Sequence, residues 1–177
     1  MTGISLLLPI TLTTMAIVLL APVVPKMMDA FAGEPNREYL VPMVLTMPAL
    51  CVAILCPFAG MLGDYFGRRT LLLASFLVYA VVGVAPVLLS DLHQILLSRV
   101  GVGMAEALIY VLSTTMIGDF YKGDIRDKWL AGQTAFASLS ALLLFNVGGL
   151  LGETSWRAPF WVYSSALIMF ALVWRFT

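Results

Sequence analysis

Five long stretches of this chain carry no charge. Residues 1–25, 39–63, 70–90, 129–152 and 158–174 contain no Asp, Glu, Lys or Arg, and they run for 25, 25, 21, 24 and 17 residues. About 20 apolar residues cross a bilayer core as a helix, so each stretch is near the length of a span. A sixth apolar stretch, about 92–118, carries two charges, Arg99 and Glu106. Composition agrees: 61% of residues are hydrophobic and 11% charged, against about 25% charged in a soluble domain. Ten basic and ten acidic residues cancel. This balance excludes a disordered chain, a nucleic-acid binder driven by a basic surface, and a secreted disulfide scaffold.

We read an all-α membrane protein, one bundle over 1–177 with six transmembrane helices at about 4–24, 40–63, 70–89, 92–118, 129–151 and 158–175. Unbroken apolar character places these helices in lipid or protein on all sides. Alternating segments of about ten residues, which a barrel requires, are absent. The first span is no signal peptide, because no Lys or Arg precedes it and its apolar run is too long. Pro22 and Pro25 are expected to end it, and Pro48 and Pro57 to kink the second. Arg68, Arg69, Lys122, Arg126, Lys128 and Arg175 fall on one side of the membrane and Lys26, Arg37 and Arg157 on the other. That bias puts both termini in the cytoplasm. Cys51 and Cys56, five residues apart on one helix, do not face each other and read as small packing residues. Spans one to three and four to six form two triplets, a division known in transporters.

The most specific local feature is Gly60-Met-Leu-Gly63-Asp64-Tyr-Phe-Gly67-Arg68-Arg69. It closes span two and turns into span three. Gly67 allows a tight turn or helix C-cap. The two arginines suit a cytoplasmic helix end. Asp64 sits where the helix dipole disfavours an acid, so it needs a partner, and Arg68 at i+4 is within reach. The pair is either a solvated anchor or a latch between helices. Ala49, Ala53, Cys56, Gly60, Gly63 and Gly67 recur in steps of 4, 3, 4, 3, 4, so one face of span two is expected to admit a helix closely.

With Gly60, Leu62, Asp64, Gly67, Arg68 and Arg69 in place, the segment resembles the signature loop of the major facilitator superfamily. Three further segments resemble that family in order and spacing. They are Arg99 with Gly103 in span four, Asp119-Phe120 with Arg126 after it, and Gly148-Gly149 followed by Trp156-Arg157 and Phe160. The resemblance covers nearly the whole chain. It implies secondary transport of a small solute by alternating access, proton- or ion-coupled, with this chain as the N-terminal six-helix half. It also implies that Asp64, Gly67, Arg68 and Arg69 govern gating, with Asp119 and Arg126 in the same charge network. Family members have about twice as many helices, so the chain reads as a half that either dimerises with itself or lacks a C-terminal half. Drug:proton antiporters of the family carry Gly-Pro before the Gly-Gly of helix five, where this chain has Leu144 and Phe145.

Charge inside a span costs about 2.5–3.5 kcal/mol at a helix centre, so Arg99 and Glu106 must face protein or water. Arg99, Gly103, Glu106, Tyr110 and Ser113 follow steps of 4, 3, 4, 3 and are expected to form one polar, cavity-lining face. Glu106 suits a proton or a cationic group, and Arg99 an anionic one. The competing reading has Arg99 snorkelling to the interface and Glu106 buried neutral. Span five adds Gln133, Thr134, Ser138, Ser140 and Asn146. Gln133 and Asn146 differ in helical phase, and Asn146 is placed with the cavity. Gly148 and Gly152 form a small-xxx-small pair. Thr11, Thr13 and Thr14 are weaker cavity candidates, since Thr hydroxyls often bond backbone one turn back.

His93 stands alone without a ligand cluster, so no metal is expected. No glycine-rich phosphate loop appears, so no nucleotide or other cofactor is expected. No nucleophile–base pair faces a cavity, which leaves an enzyme reading without support. Two readings remain: a secondary transporter in a bacterial inner membrane, and a non-transporting six-helix partner or regulator built on the same fold.

Overall fold

The computed structural model describes residues 2–176, and among them six helices are long and apolar enough to cross a membrane. Span one covers Ser5–Ala30, span two Arg37–Phe66, span three Arg68–Val87, span four Leu92–Phe120, span five Gly123–Thr154 and span six Ala158–Phe176. Successive spans run antiparallel, so the 2–3 and 4–5 turns and both chain ends share one end of the bundle. We call it the basic end, and its opposite the far end.

Several span limits differ from those the sequence suggests, each for a local reason. Pro22 and Pro25 do not end span one. They stand in the first turns of a 3-10 segment, Ala21–Val23, and of a helix, Val24–Ala30, where the missing N–H has no intrahelical acceptor to lose. Span five starts at Gly123 rather than 129. Its charged first turns remain helical, and Asp124 lies where the dipole favours an acid. Span two holds Pro42, Pro48 and Pro57 within one 30-residue helix. Span six is α-helical only from Ala166; residues Ala158–Ser165 wind as a 3-10 helix.

Span four is the most buried span, and spans two and five are the least. The main core joins Leu12, Met15 and Leu19 of span one, Leu72, Phe76 and Tyr79 of span three, Val102, Ile109 and Leu112 of span four, and Phe160 and Tyr163 of span six. The small-residue stripe of span two is only partly a contact face. Ala49 and Ala53 are exposed, while Val41, Val44, Pro48, Ala59 and Gly63 are buried. A strict 3.5-residue repeat drifts around a 3.6-residue helix, so the upper part of the stripe turns away from span four.

Two glycines bring one span against the backbone of another. A Cβ at Gly103 would lie 2.7 Å from the carbonyl oxygen of Pro48, and one at Gly148 2.1 Å from that of Leu19. Span four can therefore touch the backbone of span two, and span five that of span one.

Basic side chains tie the span ends together. Lys26 Nζ donates to the carbonyls of Gly152 (2.7 Å) and Glu153 (3.2 Å) at the end of span five. Arg37 donates to Met28 (3.3 Å), Arg157 to Leu89 (3.1 Å) and Arg69 to Trp174 (2.9 Å), all carbonyls near helix C-termini. Such carbonyls have no intrahelical donor and carry the negative end of the dipole.

Gly148→Leu should lose about 1–3 kcal/mol, the usual cost of overpacking, because the obstructing atoms are backbone. Gly149→Ala, with nothing within 4 Å of an added Cβ, should be neutral. Equilibrium unfolding in mixed detergent micelles measures both, and equal losses would contradict this packing.

Candidate functional site

Two arrangements of polar groups stand out, one at the basic end and one inside span four. The first begins with Gly67, whose φ of 86° lies in the left-handed region that glycine tolerates. This residue ends span two and lets span three start at once. The turn swings Arg68 back over the last turn of span two, where Nε and Nη2 donate to Asp64 Oδ1 at 3.0 and 2.7 Å. Nη1 of the same guanidinium donates to Asp119 Oδ2 at the end of span four. One arginine thus joins three spans. Gly60, half-buried, faces Val111 of span four, and Gly63 packs on Leu112. Arg69 caps span six through Trp174. Arg126 lies against Gly118, beside Asp119, yet among the described residues it forms no ion pair with Asp64 or Asp119.

All three members of the ion-pair cluster are open to solvent, with side-chain exposures of 63% for Asp64, 52% for Asp119 and 31% for Arg68. Exposed pairs contribute little stability. A contact this weak joins the spans without locking them.

Inside span four, Arg99 is fully buried. Its Nη2 donates to the carbonyls of Gly83 (3.1 Å) and Val82 (3.4 Å) at the end of the α-helical part of span three. Its guanidinium carbon lies 5.0 Å from the ring centres of both Phe160 and Tyr163 of span six. Carbonyl acceptors and aromatic faces together compensate much of the desolvation of the guanidinium, and its Nη1 has no hydrogen-bond partner among the described residues. Arg99 therefore faces spans three and six in the bundle interior, and it does not snorkel to the interface.

Glu106 is 6% exposed and its Oε2 has no hydrogen-bond partner. No basic group lies within ion-pair distance of it among the described residues. The expected polar face of span four is consequently divided. Gly103 is used for packing, Ser113 is buried with its hydroxyl on the Tyr110 carbonyl (3.2 Å), and Tyr110 is exposed. Asn146 is exposed on span five and donates to the Leu142 carbonyl (2.7 Å). Arg99, Glu106, Tyr110, Ser113 and Asn146 are not gathered into one pocket. Thr11, Thr13 and Thr14 bond carbonyls one turn back in their own span.

Two interior groups pair between spans, Gln133, which the sequence reading named on span five, and Tyr79, which it missed. Gln133 of span five is buried, accepts from the Thr114 hydroxyl of span four (3.3 Å), and leaves its Nε2 unpartnered. Tyr79 of span three donates to the Leu12 carbonyl of span one (2.6 Å). A lone hydroxyl or amide within an apolar span must find a partner, so both residues carried a readable signal, though not the identity of the partner.

Comparison with known proteins agrees with this architecture. The family profile described as Major Facilitator Superfamily matches residues 6–177. The tetracycline resistance protein, class B, of Escherichia coli is 29% identical over 165 residues, covering 93% of this chain and 41% of that protein. The bacillibactin exporter of Bacillus subtilis is 33% identical over 152 residues, covering 80% of this chain and 36% of the exporter. The quinolone resistance protein NorA of Staphylococcus aureus is 26% identical over 125 residues, or 71% and 32% of the two chains. The chain thus spans about two fifths of the length of the relatives it matches. Six apolar spans, the signature turn braced by Arg68 and the profile match together place this multi-pass membrane chain in the major facilitator superfamily.

Proposed function

We propose that the chain is one six-helix half of a secondary transporter that moves a small solute by alternating access, coupled to protons through Glu106. The observation that carries this reading is the Glu106 carboxyl: buried in the most buried span, with one oxygen unpartnered and no counter-ion. Ionisable groups at such depth mark ion and proton pathways by default. The relatives are named for exporting bacillibactin or for resistance to tetracycline or quinolone, which supports outward movement of small organic molecules. All are bacterial, which supports a bacterial inner membrane. The Lys and Arg bias supports a cytoplasmic basic end and cytoplasmic termini.

In this reading the little-buried faces of spans two and five pack against a second six-helix unit, either elsewhere in the same protein or on a second copy. Rocking between the two units opens one side of the membrane at a time. The Asp64–Arg68–Asp119 cluster fastens spans two, three and four at the cytoplasmic side and releases as they part.

Reconstitution into proteoliposomes with an imposed pH gradient tests the coupling. Wild-type protein should drive solute movement from the gradient. Glu106→Gln should abolish gradient-driven accumulation while leaving downhill exchange of the same solute, and an unaltered pH profile would remove Glu106 as the coupling acid.

Asp64→Asn tests the latch. Exposed pairs are worth at most about 1 kcal/mol, so the balance between inward- and outward-open forms should shift by no more than about fivefold. Cysteine accessibility from each side reads that balance, and an unchanged ratio with unchanged transport rate would refute the latch.

A further inference from the structure

Residues Ala158–Ser165 wind as a 3-10 helix for eight residues. Runs longer than three or four residues are uncommon, because the hydrogen bonds are poorer and side chains eclipse. Something must therefore hold this one. A backbone bond at its start fits the tight winding: Phe160 N–H donates to the Arg157 carbonyl (3.2 Å), three residues back.

The 3-10 geometry has a direct consequence for Arg99. Three residues per turn place Phe160 and Tyr163 in one line along the helix. The two rings stack with their centres 6.2 Å apart, and the guanidinium carbon lies beside the pair, 5.0 Å from each centre. An α-helical winding would turn Tyr163 about 60° away from Phe160 around the axis, and a single guanidinium would no longer cover both. The seat is shaped for this arrangement. Gly83 of span three leaves room for the Tyr163 ring, since a Cβ there would come within 2.4 Å of it. Tyr79 stacks on the other side of Tyr163 at 5.3 Å, and the column continues through Phe160 and Trp156 to Phe31.

We propose that residues 158–165 are a winding switch, held in the 3-10 form by Arg99 bridging Phe160 and Tyr163 and relaxing to α-helix when spans three and four draw that guanidinium away. A 3-10 helix rises about 2.0 Å per residue and an α-helix 1.5 Å, so eight residues shorten by about 4 Å. The far end of span six is tethered by Arg157 to the Leu89 carbonyl. The shortening therefore moves the basic end, where the Trp174 carbonyl accepts from Arg69. Arg69 follows Arg68, the centre of the Asp64–Asp119 cluster. A change around Arg99 at the far end thus reaches the opposite end of the bundle through the length of one span.

The test is a distance, so it holds whatever solute the protein moves. Cys51 and Cys56 are free thiols and are first replaced by alanine in the intact protein. Spin labels are then placed at Ser155→Cys and Ile168→Cys, both exposed, and measured by double electron–electron resonance in lipid nanodiscs. Arg99→Met should shorten the separation by about 4 Å. Tyr163→Phe keeps the ring and should leave it unchanged. If Arg99→Met is not recovered as folded protein, Phe160→Leu with Tyr163→Leu, Arg99 intact, should give the same shortening. An unchanged distance in Arg99→Met or, where that variant does not fold, in the double leucine variant, or a shortening in Tyr163→Phe, or a parent distance already as short as an α-helix gives, would overturn the switch.

Discussion

The hydrocarbon core of a bilayer offers no water to a helix end, and the bundle is organised around that shortage. Every helix leaves carbonyls unpaired at its C-terminus, and in lipid each unsatisfied group is costly. The chain has ten Lys and Arg residues. Five of them, Lys26, Arg37, Arg69, Arg99 and Arg157, donate to carbonyls near the end of a different helical segment. Among the described residues, Arg68 is the only Lys or Arg in an ion pair with a carboxylate. Cations here act chiefly as helix caps supplied from a neighbouring span. Arg99 is the deepest case, and its burial is tolerable because carbonyls and aromatic faces replace its water.

The six spans were legible in the sequence because lipid leaves few alternatives: a charge-free run of span length has to be a helix. The Asp64–Arg68 pair was legible for a similar reason, since i,i+4 spacing places the two side chains together on any helix. What stayed hidden was decided by partners that have no residue-type signature. The acceptors of Arg99 are backbone carbonyls of Val82 and Gly83, and any sequence supplies carbonyls. The 3-10 winding of span six could not be read either, because i,i+3 neighbours are close in both kinds of helix. Pro22 and Pro25 misled because a proline that would break a helix interior is harmless in a first turn. The polar row on span four was correct as a spacing, yet span four is enclosed by spans one, two and three, with two rings of span six at Arg99, so Arg99 and Ser113 are buried while Tyr110 looks outward.

Span four is the hub joining these features. Gly103 brings it against the backbone of span two, Arg99 ties it to spans three and six, and Asp119 ends it on the Arg68 cluster. Glu106 sits between these attachments without a polar partner of its own. A group fixed in place by its neighbours but not neutralised by them is sensitive to small movements of those neighbours, since its environment changes whenever spans two and three shift against span four.

The reach of the caps along the chain also bears on how the bundle is built. Arg37 and Arg99 find their carbonyls 9 and 16 residues away, so those contacts can form as adjacent spans leave the ribosome. Arg157 reaches back 68 residues, Arg69 waits for a carbonyl 105 residues ahead, and Lys26 for one 126 residues ahead. At 5–20 residues per second, Lys26 stays without its partner for on the order of ten seconds of synthesis. During that interval the far end of span one is held only by earlier partners, Arg37 on the Met28 carbonyl and the packing of Met27 and Phe31 against Val41, Val44, Leu92 and Ile95. The two longest caps are therefore the last to form, Lys26 once the end of span five is made and Arg69 once the end of span six is made.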